Sequence, residues 1–180
     1  MKFEELNTRC RTIRRFDQRH AVNEEFLKYL VSCARFAPTA ANRQPLRFML
    51  IHDPERCRAV THMIGWAGYL RDWDGPQEGE LPAAYIIIFC DTRVVSEAAV
   101  GAAIAAHTML LAATEAGLGG CMFGAVKKGR LHDYLKAEEH LGIAMVVAIG
   151  KPAEQVVLES VGPDASIRYY RDEAGVHHVP

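Results

Sequence analysis

The sequence predicts a mixed helix-and-strand protein assembled around one long uncharged helix, and two kinds of pattern carry that expectation. From Ala98 to Thr114 no residue bears a formal charge, and at helical spacing Val100, Ile104, His107 and Leu111 fall on one ridge. The opposite side is Ala98, Ala102, Ala105, Met109, Ala113 and Ala116, nearly bare backbone. Elsewhere, residues 84–91 (AYIIIFCD) and 143–150 (IAMVVAIG) are unbroken apolar runs of strand length, the pattern of strands covered on both faces. A helix apolar all round predicts burial on every side. Its alanine strip admits close approach of another backbone, either a neighbouring element or a symmetry-related copy. The run sits at the lower limit of the roughly 17–25 apolar residues that cross a bilayer and is interrupted by His107, so no membrane span is expected.

The totals bound the rest. A chain of 180 residues with 49% hydrophobic and 24% charged residues has the composition of one globular domain, expected over 1–180. A net charge of −1 without a basic block excludes an electrostatic case for nucleic acid. Five scattered cysteines (Cys10, Cys33, Cys57, Cys90, Cys121) argue for reduced thiols and a cytoplasmic setting, and the opening Met-Lys-Phe-Glu-Glu does not read as a signal peptide. Eight histidines show no metal-ligand spacing, the adjacent pair His177–His178 included, so no metal is expected.

Taken in order, Phe3, Leu6 and Cys10 have helical spacing and predict a short helix over 2–10. It runs into Arg9-Cys10-Arg11-Thr12-Ile13-Arg14-Arg15-Phe16, four arginines in seven residues. That stretch reads either as a solvated basic edge or, because Ile13 and Phe16 are apolar, as arginines beside a packed surface. In the second setting the planar fork of arginine suits a carboxylate or a phosphate. Asn23 caps a second helix, residues 24–36, whose buried face is expected to be Phe26, Leu30, Cys33 and Ala37. Pro38 stops it. Residues 37–45 (APTAANRQP) form a loop of small and amide side chains, suited to a flat ligand or to a plain helix-to-strand connection.

Leu46 to His52 alternates as a strand, and Asp53-Pro54-Glu55 starts another helix with proline in its first turn. Residues 65–82, with Trp66, Trp73 and several glycines, read as a lid, a pocket wall or simple surface packing. Ser96-Glu97 is the expected start of the central helix and Gly117 its stop. The run Gly117 to Gly124 (GLGGCMFG) is expected to leave backbone amides bare for a ligand. It follows a helix, so it is not a dinucleotide fingerprint. A polar helix over 128–140, the strand at 143–150 and a polar tail from Lys151 complete the chain.

Four segments together resemble the FMN-dependent nitroreductase family: Arg11-Thr12-Ile13-Arg14-Arg15-Phe16, the APTAANRQP loop, the helix closing in GLGGCMFG, and VVAIGKPAE. The resemblance covers roughly residues 9–155. It implies an α+β fold with a central mixed, mainly antiparallel sheet flanked by helices, and a homodimer with the long helix at its core. Two FMN molecules would then sit in the interface, each touched by both subunits. Carried over by position, Arg11 would reach the FMN phosphate with Thr12 beside it, and Arg14 would sit near flavin N1 and the C2 carbonyl. Pro38, Thr39, Ala40 and Asn42, with Gln44 in addition, would be laid against the ring by the other subunit. Met122, Phe123 and Gly124 would lie over the isoalloxazine, with an N–H near Gly124 donating to N5.

This chain departs from the family pattern at Cys10, where an arginine is usual, and at Leu46, where a tryptophan is usual. It also departs at the C-terminus, where a basic pair usually reaches the phosphate and Arg168 or Arg171 would have to serve. The activity implied is NAD(P)H-dependent reduction of nitroaromatic, quinone or enone acceptors through FMN, by a ping-pong mechanism without a protein nucleophile. The alternatives are a flavin-binding protein without turnover, or the same fold carrying dehalogenating or flavin-destroying chemistry. For such chemistry Arg71 and Trp73 are the candidate substrate anchors.

Overall fold

A computed structural model describes residues 2–180. Eight consecutive residues of strand β2 (Ala84–Asp91) are buried, and the sheet around it explains why. β1 (Leu46–Ile51), β2, β3 (Gly119–Phe123) and β4 (Leu141–Gly150) pair antiparallel in the order β1-β2-β4-β3. Alternate residues of β2 therefore face opposite layers. Ala84, Ile86 and Ile88, with Val147 and Ile149 of β4, meet Leu27 and Leu30 of α2 (Glu24–Ala34) and Ala102 and Met109 of α4 (Ala99–Glu115). Tyr85, Ile87 and Phe89 meet Cys57 and Val60 of α3 (Pro54–Thr61), Leu131 and Leu135 of α5 (Lys128–Leu135), and Trp66. The short α1 (Phe3–Arg9) also packs on α4. The mainly antiparallel α+β architecture expected from the sequence is the one observed. At the free edge of β3 the arm after α1 adds a parallel bridge to this sheet, Thr12 to Gly120.

Helix α4 settles which partner its alanines have. Ala102, Ala105, Ala106, Met109 and Ala113 are buried against this chain's own α2, β3 and β4. Burial on every side is not achieved within one chain: Val100 is 76% and Ile104 37% exposed, and His107 is exposed as well. Ser96-Glu97 does not cap the helix; the N-cap is Ala98, which has no side chain that can accept a bond. The C-terminus is closed by a Schellman turn, in which Leu118 N–H donates to Ala113 O at 2.9 Å and Gly117, at φ +74°, supplies the left-handed residue.

Two other expectations are corrected. In α2 the buried residues are Leu27, Leu30 and Ala34; Phe26 and Cys33 are half-buried, and Phe36 is 83% exposed. The helix ends at Ala34, so its register never reaches Ala37. Gly119 and Gly120 are not bare loop amides but the start of β3. They are glycines because of close approach: a Cβ on Gly120 would overlap the Ala148 carbonyl oxygen, and one on Gly119 would lie 2.8 Å from Ile13. The polar tail, for which the sequence predicts no element, forms a small sheet. β5 (Val156–Leu158) pairs parallel with β7 (His177–Val179), and β6 (Tyr170–Arg171) pairs antiparallel with it.

Candidate functional site

The arm from Cys10 to Phe16 lies along β3 because its apolar residues are sunk into the fold. Ile13 and Phe16 are buried, and Ile13 N–H donates to Gly120 O at 2.9 Å. Thr12 is left exposed, and Arg11, Arg14 and Arg15 are half-buried. The arm thus brings Arg11, Thr12 and Arg14 to the sheet edge that ends in Met122, Phe123 and Gly124. Met122 is exposed and Phe123 buried against Trp66, with ring centroids 4.8 Å apart. Gly124 has no atom within 4 Å of where a Cβ would be, and its N–H finds no acceptor among the described residues.

The arginines of the arm are used differently. Arg11 spends Nε on Cys10 O at 2.8 Å and one Nη2 hydrogen on Asn7 O at 3.0 Å, so two carbonyls at the end of α1 hold its fork. Arg14 donates Nε to Trp66 O at 2.9 Å and rests its guanidinium 4.8 Å from the Tyr169 ring centroid. Both Nη groups of Arg14 are without a partner among the described residues. An unspent guanidinium on a half-buried arginine, at the same sheet edge as an open glycine amide, fits a planar ligand with anionic or carbonyl edges. FMN is such a group.

Pro38, Thr39, Ala40, Asn42 and Gln44 are not brought to that edge. Their loop enters β1, on the other side of β2 and β4, so the two groups are separated by about 14 Å at ordinary strand spacing. The loop has a demanding backbone: Ala41, Asn42 and Gln44 have φ of +49°, +52° and +48°. Asparagine tolerates that region, whereas Ala41 and Gln44 are strained there. Thr39 Oγ1 accepts from Gln44 N–H at 3.2 Å, and Gln44 Nε2 donates to Asn42 Oδ1 at 3.2 Å. Arg47 Nη1 donates to Gln44 O at 3.0 Å, while Nη2 reaches Asp91 at 3.3 Å. Asp91 is held down to about 2 by its hydrogen bonds with Arg93, so it stays an anion beneath the loop. A cleft of about 670 Å³ opens here, lined in part by Arg35, Phe36, Asn42 and Gln44.

Sequence reasoning missed how the arm is held. The Glu154 side chain is 2% exposed and accepts from the backbone N–H groups of Arg14 and Arg15 and from Arg171 Nη2 at 2.8 Å. Arg171 is therefore an internal partner and not the free phosphate contact offered as one substitute for a basic tail; it also lies 4.2 Å from the Trp73 ring centroid. Arg168 remains exposed, 5.6 Å from the Tyr69 ring. The only signal for Glu154 was its place in the KPAE segment, and nothing in the sequence pointed to Tyr169. Residues 65–82 are pinned by Trp66, which is buried, donates Nε1 to Thr61 O at 3.2 Å and packs edge-on against Trp73. Burial pushes the Cys57 and Cys121 thiols up to about 12, so neither is a thiolate at neutral pH.

A nitroreductase family model matches residues 8–151, four-fifths of the chain. The chain belongs to the nitroreductase family. Among solved structures, a family protein from Clostridium novyi NT is similar over 84% of this chain and 86% of its own, with a TM-score of 0.71 at 21% identity. An FMN-dependent nitroreductase from Clostridium difficile R20291 is similar over 88% and 91%, with a TM-score of 0.69 at 20% identity. A Staphylococcus epidermidis protein named as a candidate NAD(P)H:FMN oxidoreductase is similar over 84% and 87%, at 0.69 and 16%. Likeness at these identities establishes the nitroreductase fold. Membership of the nitroreductase family places the chain among the oxidoreductases. No helix among the described residues is long and apolar enough to cross a membrane.

Proposed function

We propose that this nitroreductase-family chain is an NAD(P)H-dependent FMN oxidoreductase, working as a homodimer on small acceptors such as nitroaromatics, quinones or enones. The observation that carries the reading is Arg14: a half-buried guanidinium with both terminal amino groups unspent, on the same sheet edge as the open amide of Gly124. When bound, FMN supplies the hydride chemistry, accepting and giving hydride at N5. Arg14 would hold a fixed cation against the ring where negative charge collects, which favours the reduced form. Arg11 and Thr12 would hold the phosphate, and the Gly124 N–H would donate to the ring's central nitrogen. No side chain is required as a nucleophile, and Cys121 is too buried and too weakly acidic to serve as one.

A second copy follows from the same reading. Pro38, Thr39, Ala40, Asn42 and Gln44 sit on the sheet edge opposite Arg14, so they contact a shared ring only if each copy lends its loop to the other. The exposed ridge Val100, Ile104 and His107 of α4 offers the apolar surface for that pairing. The names of the similar proteins from C. difficile and S. epidermidis, FMN-dependent nitroreductase and candidate NAD(P)H:FMN oxidoreductase, support the choice of cofactor and donor. The test is to load the purified protein with FMN and add NADH or NADPH without oxygen. Bleaching of the visible flavin band, restored by a nitroaromatic or quinone, is the expected result; a band that persists under excess donor overturns the reading.

A further inference from the structure

Arg14 is fixed from three directions by segments far apart in the sequence. Its amide donates to Glu154 Oε1, its Nε donates to Trp66 O at 2.9 Å, and its guanidinium lies 4.8 Å from the Tyr169 ring centroid. Tyr169 is itself wedged. Its ring lies 5.0 Å from Tyr69 and 5.3 Å from His177, and its hydroxyl accepts from Tyr69 N–H at 3.3 Å. The following residue begins β6, so the small C-terminal sheet sets where this ring stands.

The charges are arranged to the same end. Among the described residues Glu154 is the carboxylate bonded to the arm at Arg14, and it could neutralise that arginine. Instead, its Oε2 takes Arg171 Nη2 at 2.8 Å, while its Oε1 takes only the amides of Arg14 and Arg15. The carboxylate's charge is spent inside the fold and the guanidinium charge of Arg14 is left over. Arginine otherwise has many rotamers, so a carbonyl on Nε and an aromatic face under the plane are what turn it into a fixed cation. Glu154, Tyr169 and Arg171 all lie beyond residue 151, outside the span that matches the nitroreductase family model.

We infer that Tyr169 and Glu154 are positioning residues for Arg14, so that the C-terminal sheet of this chain sets the reduction potential of the bound flavin. The inference rests on the flavin reading above and deepens it: the C-terminal segment acts on the ring's electronics through Arg14. Tyr169 touches no reacting atom in this scheme.

The experiment is a double-mutant cycle on FMN-loaded protein, with midpoint potential, FMN affinity and thermal midpoint as readouts. Tyr169→Leu is expected to lower the potential and to slow reduction by the same nicotinamide roughly tenfold, with FMN affinity changed far less. Tyr169→Phe keeps the ring and is expected to match the wild type. In an Arg14→Ala background Tyr169→Leu is expected to have no further effect on potential. A wild-type potential in Tyr169→Leu overturns the inference, as does an equal fall with and without Arg14, the mark of a general structural effect. Failure of the wild type to bind FMN overturns the functional reading instead, which keeps the two failures apart.

Discussion

Arg11 and Arg14 lie three residues apart on one arm, yet their surroundings assign them different work. Arg11 is tied to carbonyls at the end of α1, whereas Arg14 is stacked on Tyr169 with its terminal amino groups unspent. Arg14→Ala is expected to lower the flavin potential and slow hydride uptake about 100-fold, with a smaller loss of FMN affinity. Arg11→Ala is expected to weaken FMN about tenfold and leave the potential nearly unchanged. Titration and anaerobic stopped-flow separate the two, and equal effects from both variants would show the roles to be misassigned. At Gly120 a Cβ would meet the Ala148 carbonyl, backbone that cannot swing aside. Gly120→Ala is therefore expected to cost about 3 kcal/mol in chemical denaturation and to loosen the Ile13 bond to the same residue. At this scale the sequence was partly legible. Ile13 and Phe16 announced a packed arm by being apolar among arginines, but no local signal could say that Glu154 would receive its amides.

Among the elements, those with a strong period were the readable ones. β2 is covered on both faces and so shows an unbroken apolar run, and α3 carried its own start signal in Asp53-Pro54, where Asp53 accepts from Arg56 N–H. The C-terminal sheet escaped because its strands are two or three residues long and their pairing is set by side chains distant in sequence. Chief among these is His178, whose Nδ1 lies 2.7 Å from Glu159 and Nε2 3.2 Å from Asp172, with Tyr170 stacked at 4.7 Å and bonded to the same Glu159. The hydrogen bonds to Asp172 and Glu159 raise the His178 pKa above its ordinary value of about 6.5. A raised folded value means that the stabilisation is complete below the ordinary value and is lost as pH climbs through the raised one. Protection of the amides at residues 170–171 and 177–179, taken relative to the intrinsic exchange rate, is thus expected to be lower at a pH well above the raised value than at one below the ordinary value, while the protection of β2 does not change. His178→Gln removes that difference, and exchange that follows β2 at both pH values would refute the clasp.

For the whole molecule, the periodic signals reached as far as one chain's core and stopped at its surface. The alanine strip of α4 left two partners open, and the structure assigns it to this chain's own sheet. The exposed Val100–Ile104 ridge is where the pattern "apolar all round" exceeded what a single copy buries. The candidate site behaves in the same way: the residues expected to hold the cofactor fall into two groups on opposite edges of the sheet.

That separation has a genetic consequence. In the proposed dimer, a copy damaged in its arm and a copy damaged in its loop would each be inactive alone, whereas a hybrid of the two would contain one whole active centre and one doubly broken one. Refolding Arg14→Ala chains with Asn42→Ala chains in equal amounts makes about half of the pairs hybrid, and roughly a quarter of normal turnover is expected to return. Recovery from two dead parents would mean that the unit of heredity for this enzyme's activity is the pair; none would mean that each polypeptide works for itself.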